Sequence, residues 1–108
     1  MFSTAKLSIV FFMFLFCSIF SVARASQALA NAKGCMACHQ IDAEKIGPPF
    51  RMVAKQYRGQ KDALAKLPGK VLEGGSGVWG QVAMPANKTL GVTKAEATKL
   101  VAWVLSLE

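Results

Sequence analysis

Two cysteines and the chain's single histidine are crowded into five residues, Cys35-Met36-Ala37-Cys38-His39. On a helix, positions i, i+3 and i+4 share a face, so this spacing aims two thiols and one imidazole at the same object. Little else in the sequence is rich enough to build a core around. Six of the seven phenylalanines lie at positions 2, 11, 12, 14, 16 and 20, which leaves Phe50, Tyr57, Trp79 and Trp103 as the aromatics after residue 25. A single domain of this length buries a modest share of its surface, so a disulfide, metal, cofactor or partner is expected to complete it. A large two-domain enzyme is excluded.

Residues 1–25 read as a secretory leader. Lys6 precedes an apolar stretch from Leu7 to Phe20, and Ala23-Arg24-Ala25 gives a small-residue exit before Ser26. The alternative is a retained membrane anchor. Against it, the stretch is broken by Ser8 and Ser18 and falls short of the roughly 20 residues a spanning helix needs. Cys17 as a lipid-modified N-terminus is disfavoured by bulky Phe16 before it. The mature domain is thus expected over residues 26–108, outside the cytoplasmic membrane. Loss of Lys6 and Arg24 reduces the 13 basic residues to 11 against 6 acidic ones, a formal +5. It also leaves Cys35 and Cys38 as the sole cysteines, in an oxidising compartment where a simple disulfide would be ordinary.

Along the mature segment the expected architecture is all-α. The Ala-rich run from Ser26 toward His39 predicts a helix of about three turns. Residues 40–49 end in Gly47-Pro48-Pro49 and predict a loop. Phe50, Val53, Ala54 and Tyr57 mark one face of a short helix. Leu64, Leu67, Val71 and Leu72 mark another from Asp62 to Glu73, with a break or restart expected at Pro68. Residues 74–91 hold five of the nine glycines and predict a long loop with no alternating strand. Thr93 and Glu96 form a capping-box pattern ahead of Ala97, Leu100, Val101, Val104 and Leu105, the apolar face of a last helix.

The Cys-x-x-Cys-His spacing is a c-type haem attachment pattern: two thiols to add to the porphyrin vinyl groups, and His39 one residue on to bind iron axially. Structural zinc would want four ligands, and the mature chain has no further Cys or His. A thioredoxin-like pair would need a βαβ setting. A plain disulfide would leave the adjoining His39 unexplained. The sixth iron position is either open or taken by methionine. Met36 lies about 100° around the helix from Cys35, and Met52 reads as core filling. Met84 stands in the glycine-rich segment directly before Pro85, which forces extended backbone, and it is the candidate sulfur ligand. Iron held by His39 and Met84 has no place for substrate, which points to electron transfer rather than catalysis. The Trp79 indole N–H suits either a haem propionate or the core.

With these residues in hand the chain resembles the class I bacterial cytochromes c, most closely the small c551/c552 group, also called cytochrome c8. The resemblance rests on Gly34-Cys35-Met36-Ala37-Cys38-His39, Gly47-Pro48-Pro49-Phe50, Gly77-Val78-Trp79-Gly80, Met84-Pro85-Ala86-Asn87 and Ala102-Trp103-Val104-Leu105-Ser106. It implies three or four helices wrapped around one covalent haem c, with Cys35 and Cys38 as attachment points and His39 and Met84 as axial ligands. It further implies that the Pro48 carbonyl accepts the imidazole N–H, that the Asn87 amide contacts the ligand sulfur, and that Trp79 and Lys70 lie near a propionate. Two departures stand out: Ala86 replaces a usual proline, and Pro68-Gly69 interrupts a segment that is helical in relatives.

The resemblance also implies a periplasmic, monomeric carrier that takes electrons from a quinol-oxidising complex and passes them to a terminal oxidase or a reductase such as nitrite reductase. A formal +5 suits docking on acidic partner surfaces, although the nine lysines are spread along the mature chain. No basic run speaks for nucleic acid, and no stable membrane insertion is expected once the leader is cleaved. The competing readings are a haem subunit of a periplasmic dehydrogenase and a gas-binding haem protein with an open or labile sixth position.

Overall fold

The computed structural model describes residues 26–107, and the leader expected at residues 1–25 lies outside the described residues. Helix α1 (residues 26–32) is followed by a short 3₁₀ helix, Cys35–Ala37. Three further helices complete the helical part: α2 (Phe50–Gln56), α3 (Ala63–Glu73) and α4 (Lys94–Leu105). Between α3 and α4 run strands β1 (Gly75–Gly77) and β2 (Gly80–Met84) and a second 3₁₀ helix, Asn87–Leu90. Among the described residues no helix is long and apolar enough to cross a membrane.

Three expectations need correction. The first helix does not reach His39. Gly34 adopts φ 77°, a left-handed conformation that ends α1, and the chain re-enters as the 3₁₀ turn of the cysteine motif. The His39 amide still donates to Cys35 O at 3.0 Å, so one helical turn survives where the motif needs it. Second, α3 continues through Pro68 without a break. A buried proline there gives up one backbone bond, a penalty of roughly 3 kcal/mol in an isolated helix. The tertiary packing of α3 on α4 offsets that cost. Third, residues 75–84 form a two-stranded antiparallel hairpin with Gly75 opposite Met84 and Gly77 opposite Gly80. Its residues from Gly75 to Ala83 are all exposed, so no inward face existed to write an alternating pattern into the sequence.

The core is thin. Phe50, Val92, Ala97, Leu100 and Trp103 form its centre with Ala30, and Phe50 meets Trp103 edge to face at 5.5 Å between ring centroids. Of the buried apolar residues only Ala30, Ala54 and Ala97 fall below 2% exposure, so no large side chain is enclosed on all sides. Met52 is 52% exposed, not core filling, and Leu64 stands out in solvent at 46%.

The start of α4 is built as expected. The Thr93 hydroxyl accepts from the Glu96 amide at 3.2 Å while the Glu96 carboxylate accepts from the Thr93 amide at 2.9 Å. Val92 and Ala97, on either side of this box, both enter the core as a hydrophobic staple would. Lys33 closes the corner, reaching Glu96 at 3.1 Å and donating to Gly91 O at 3.1 Å, which ties the end of α1 to the start of α4. The Thr93 N–H, and after it Lys33, hold the Glu96 carboxyl below the usual carboxylate range. Thr93→Ala is expected to cost about 1 kcal/mol, read as a lower urea midpoint with an unchanged slope. Because the folded state depresses the Glu96 pKa, its contribution is present at neutral pH and is lost as pH falls through the folded-state value. Thermal unfolding of Glu96→Gln should therefore differ most from the parent near neutrality, and the two should converge in acid.

Candidate functional site

A cleft of about 550 Å³ opens beside the core, within the range of small-molecule and cofactor sites. The cysteine motif contributes Cys35, Cys38 and His39 to its lining, and the loop after it contributes Gly47 and Pro48. Phe50, Leu100 and Trp103 present the open side of the core, Leu67 and Val71 come from α3, and the hairpin supplies Trp79 and Met84. Seven of the eight residues expected from the sequence (Cys35, Cys38, His39, Pro48, Lys70, Trp79 and Met84) therefore share one cavity, although they span 50 positions of the chain. Trp79 is 40% exposed at this cleft, which removes it from the core.

His39 is the most firmly held of these side chains. Its Nδ1 lies 2.8 Å from Pro48 O. A carbonyl can only accept, so Nδ1 carries the proton and Nε2 keeps its lone pair for a metal. The ring stacks on Phe50 at 4.7 Å between centroids with 19° between planes. On Gly47 a Cβ would fall 2.5 Å from His39 Cε1 and 2.9 Å from Nδ1, so the imidazole occupies the space a side chain would need. The loop is closed around this arrangement by Gly47 N–H to Cys38 O at 2.7 Å and Phe50 N–H to Gln40 O at 2.8 Å. The sequence marks Gly47 as part of a loop and of the Gly47-Pro48-Pro49-Phe50 motif; the space it leaves depends on a contact eight residues back.

Cys35 and Cys38 are half-buried and not joined to each other. Burial pushes the Cys35 thiol above its ordinary value, with Cys38 adding in the same direction, so it is held as the neutral thiol. Among the described residues no group of three or more His, Cys, Asp or Glu converges to hold a bare metal ion, which argues against zinc. The donor set instead suits a flat group that brings its own iron: two thiols, one imidazole with a free Nε2, and a half-buried thioether at Met84, around an apolar wall.

Asn87 lies behind this wall. It is buried, and its amide nitrogen donates to Val71 O at 2.9 Å and Pro85 O at 3.2 Å. Both N–H groups are thus directed at backbone, and none at Met84 sulfur. Lys70 lines the mouth with its ammonium close to Gly75, while Lys66 beside it pairs with Asp62.

Residues 23–108 match the family model for cytochrome c. The chain is 52% identical over 84 residues to a cytochrome c-552 of Hydrogenobacter thermophilus, covering 78% of this chain and 83% of that one. It is 44% identical over 80 residues to a cytochrome c-551 of Azotobacter vinelandii, covering 74% and 94%. The crystal structure of Nitrosomonas europaea cytochrome c552 superposes with a TM-score of 0.72 at 40% identity, covering 76% of this chain and 99% of that one. A cleft that gathers two thiols, an imidazole and a thioether is what such a likeness requires, and the chain belongs to the cytochrome c family, among its small class I bacterial members that carry one covalently bound haem c.

Proposed function

We propose that this chain is an exported one-electron carrier in which Cys35 and Cys38 form the thioethers and His39 and Met84 are the axial ligands. The observation that carries the proposal is the pinned imidazole: His39, fixed by Pro48 O and Gly47, offers Nε2 to the same cleft that Met84 lines. The haem, when bound, supplies an iron that changes oxidation state by one electron. The chain's own residues do the rest. Pro48 fixes the tautomer and plane of His39. Met84 offers a soft thioether that favours the reduced state. Phe50, Leu67, Val71 and Leu100 keep water from the apolar side. With both axial places taken by protein, no position is left for a substrate, which suits a carrier rather than an enzyme.

The leader at residues 1–25 would deliver the domain to the periplasm, where a quinol-oxidising complex is the proposed donor and a terminal oxidase or a reductase such as nitrite reductase the acceptor. A formal +5 favours encounter with acidic partner surfaces. Trp79 and Lys70 both line the cleft, which supports a role for them in meeting haem propionates.

A visible spectrum of the oxidised and reduced protein tests the ligand set through the weak far-red band of a ferric iron to methionine-sulfur bond. Met84→Ala should abolish that band and lower the potential by on the order of 0.1–0.3 V, a part of the roughly 0.8 V that axial ligands span. Rapid binding of carbon monoxide by the reduced parent protein at neutral pH would instead favour a gas binder. Gly47→Ala should reduce recovery of haem-loaded protein about tenfold, as loss of an outer contact to a metal ligand does. Gly69→Ala, where a Cβ meets nothing within 4 Å, should load like the parent.

A further inference from the structure

Gly74 caps α3 with φ 68° and ψ −150°, a region of backbone space open essentially to glycine alone. A Cβ on Gly74 would fall on Met84 O and lie 2.6 Å from Pro85 O and 2.7 Å from the Pro85 carbonyl carbon. The end of α3 therefore touches the Met84-Pro85 peptide directly, with no room for any side chain between them. From the other side Asn87 ties Val71 O, in the last turns of α3, to Pro85 O. The next residue, Gly75, pairs with Met84 in the hairpin. Gly74 and Gly75 thus meet the Met84 backbone, and Asn87 holds the next residue, Pro85, to the same end of α3, while residues 75–83 of the hairpin are exposed.

We infer that Gly74 is a positioning residue for the sulfur ligand: the C-terminal end of α3, through the bare backbone of Gly74 and the Asn87 amide, sets where Met84 stands. This inference rests on the proposal that Met84 binds the iron. Any side chain at Gly74 pushes the Met84-Pro85 peptide away from α3 and loosens the ligand without touching His39 or the cysteines.

The test compares the haem-loaded Gly74→Ala protein with Gly91→Ala. Gly91 also has positive φ, 85°, in the ordinary left-handed region, and a Cβ there meets nothing within 4 Å, so it carries a left-handed backbone penalty, milder than that at Gly74, without the contact. Gly74→Ala should weaken the far-red band, lower the reduction potential and raise the affinity of the ferric protein for imidazole about tenfold, a coupling of ordinary size. Gly91→Ala should lose stability alone. Equal changes in imidazole affinity in both variants, or no change in Gly74→Ala, would overturn the inference. If Gly74→Ala does not accumulate, the parent protein decides. By reciprocity, displacing Met84 with imidazole should speed hydrogen exchange at the Gly74 amide, which donates to Lys70 O at 2.8 Å, and unchanged exchange would overturn the inference. Met84→Ala separates the two claims. A parent lacking the far-red band and indistinguishable from Met84→Ala would sink the ligand assignment itself, whereas a band lost in Met84→Ala but unmoved in Gly74→Ala would sink only the role of Gly74.

Discussion

Phe50, Leu100 and Trp103 make a hydrophobic wall with protein on one side and a cleft on the other, and the fold hangs on that one-sidedness. Burying apolar surface contributes roughly 25 cal/mol per Å², but a domain of this length has little of it, and here no large side chain is enclosed completely. The prosthetic group is accordingly a structural component as much as a functional one. The elements that line the cleft, the cysteine turn, the Gly47–Phe50 corner, α3, the hairpin and α4, would have that group as their common neighbour. This also accounts for a hairpin with almost no apolar burial of its own. Ile46, Val78 and Val82 stand 60% or more exposed in the polypeptide alone, and all three line the cleft.

His39 and Met84 are held by different kinds of interaction. His39 is fixed through its side chain, by a hydrogen bond, a stacked ring and a glycine that yields it space, and it adjoins a cysteine that anchors the chain covalently in the family. Met84 is fixed through its backbone, against Gly74 and within a strand pair of glycines. Segments with few buried contacts open at low free energy, so local opening is expected first on the Met84 side. Under the proposed ligation a carrier gains from this division: the anchored side would keep the iron in place, while the methionine side, held at one helix end, would set the sulfur that tunes it.

Much of the site was legible in the sequence because its chemistry depends on spacing over a few residues. Cys35, Cys38 and His39 declare themselves by type and interval, Thr93 and Glu96 by the reach of a capping box, and Met84 by the proline after it. What depends on distant contacts was not legible. Gly34 carries a left-handed turn that no periodicity records. Pro68 is tolerated because α4 packs on α3, a fact about a helix some 30 residues downstream. The hairpin is held by backbone pairing between exposed glycines, and so writes no alternation. Gly47 and Gly74 read as loop residues, although each is needed for the room it leaves to another residue. For Asn87 the residue was legible but not its partners: the amide reaches the backbone carbonyls of Val71 and Pro85.

The lining of the cleft bears on the redox equilibrium as directly as the ligands do. Ferric iron in a porphyrin carries one more positive charge than ferrous iron, and an apolar surrounding of low dielectric disfavours the state with more charge. Phe50, Val53, Leu67, Val71, Leu100 and Val104 make such a surrounding, and under the proposed ligation the thioether of Met84 would act in the same direction. The charged groups at the lining are few, and Lys66 among them is drawn aside by Asp62. The ion pairs elsewhere do other work. Lys33 with Glu96, and Arg51 with Asp42 and the Leu107 carbonyl, join helix ends and loops far along the chain. Exposed pairs contribute little stability singly, so their value here lies in fixing the corners of a thin core. Polar contacts at the corners leave the interior to apolar side chains, and that apolar interior favours the reduced state.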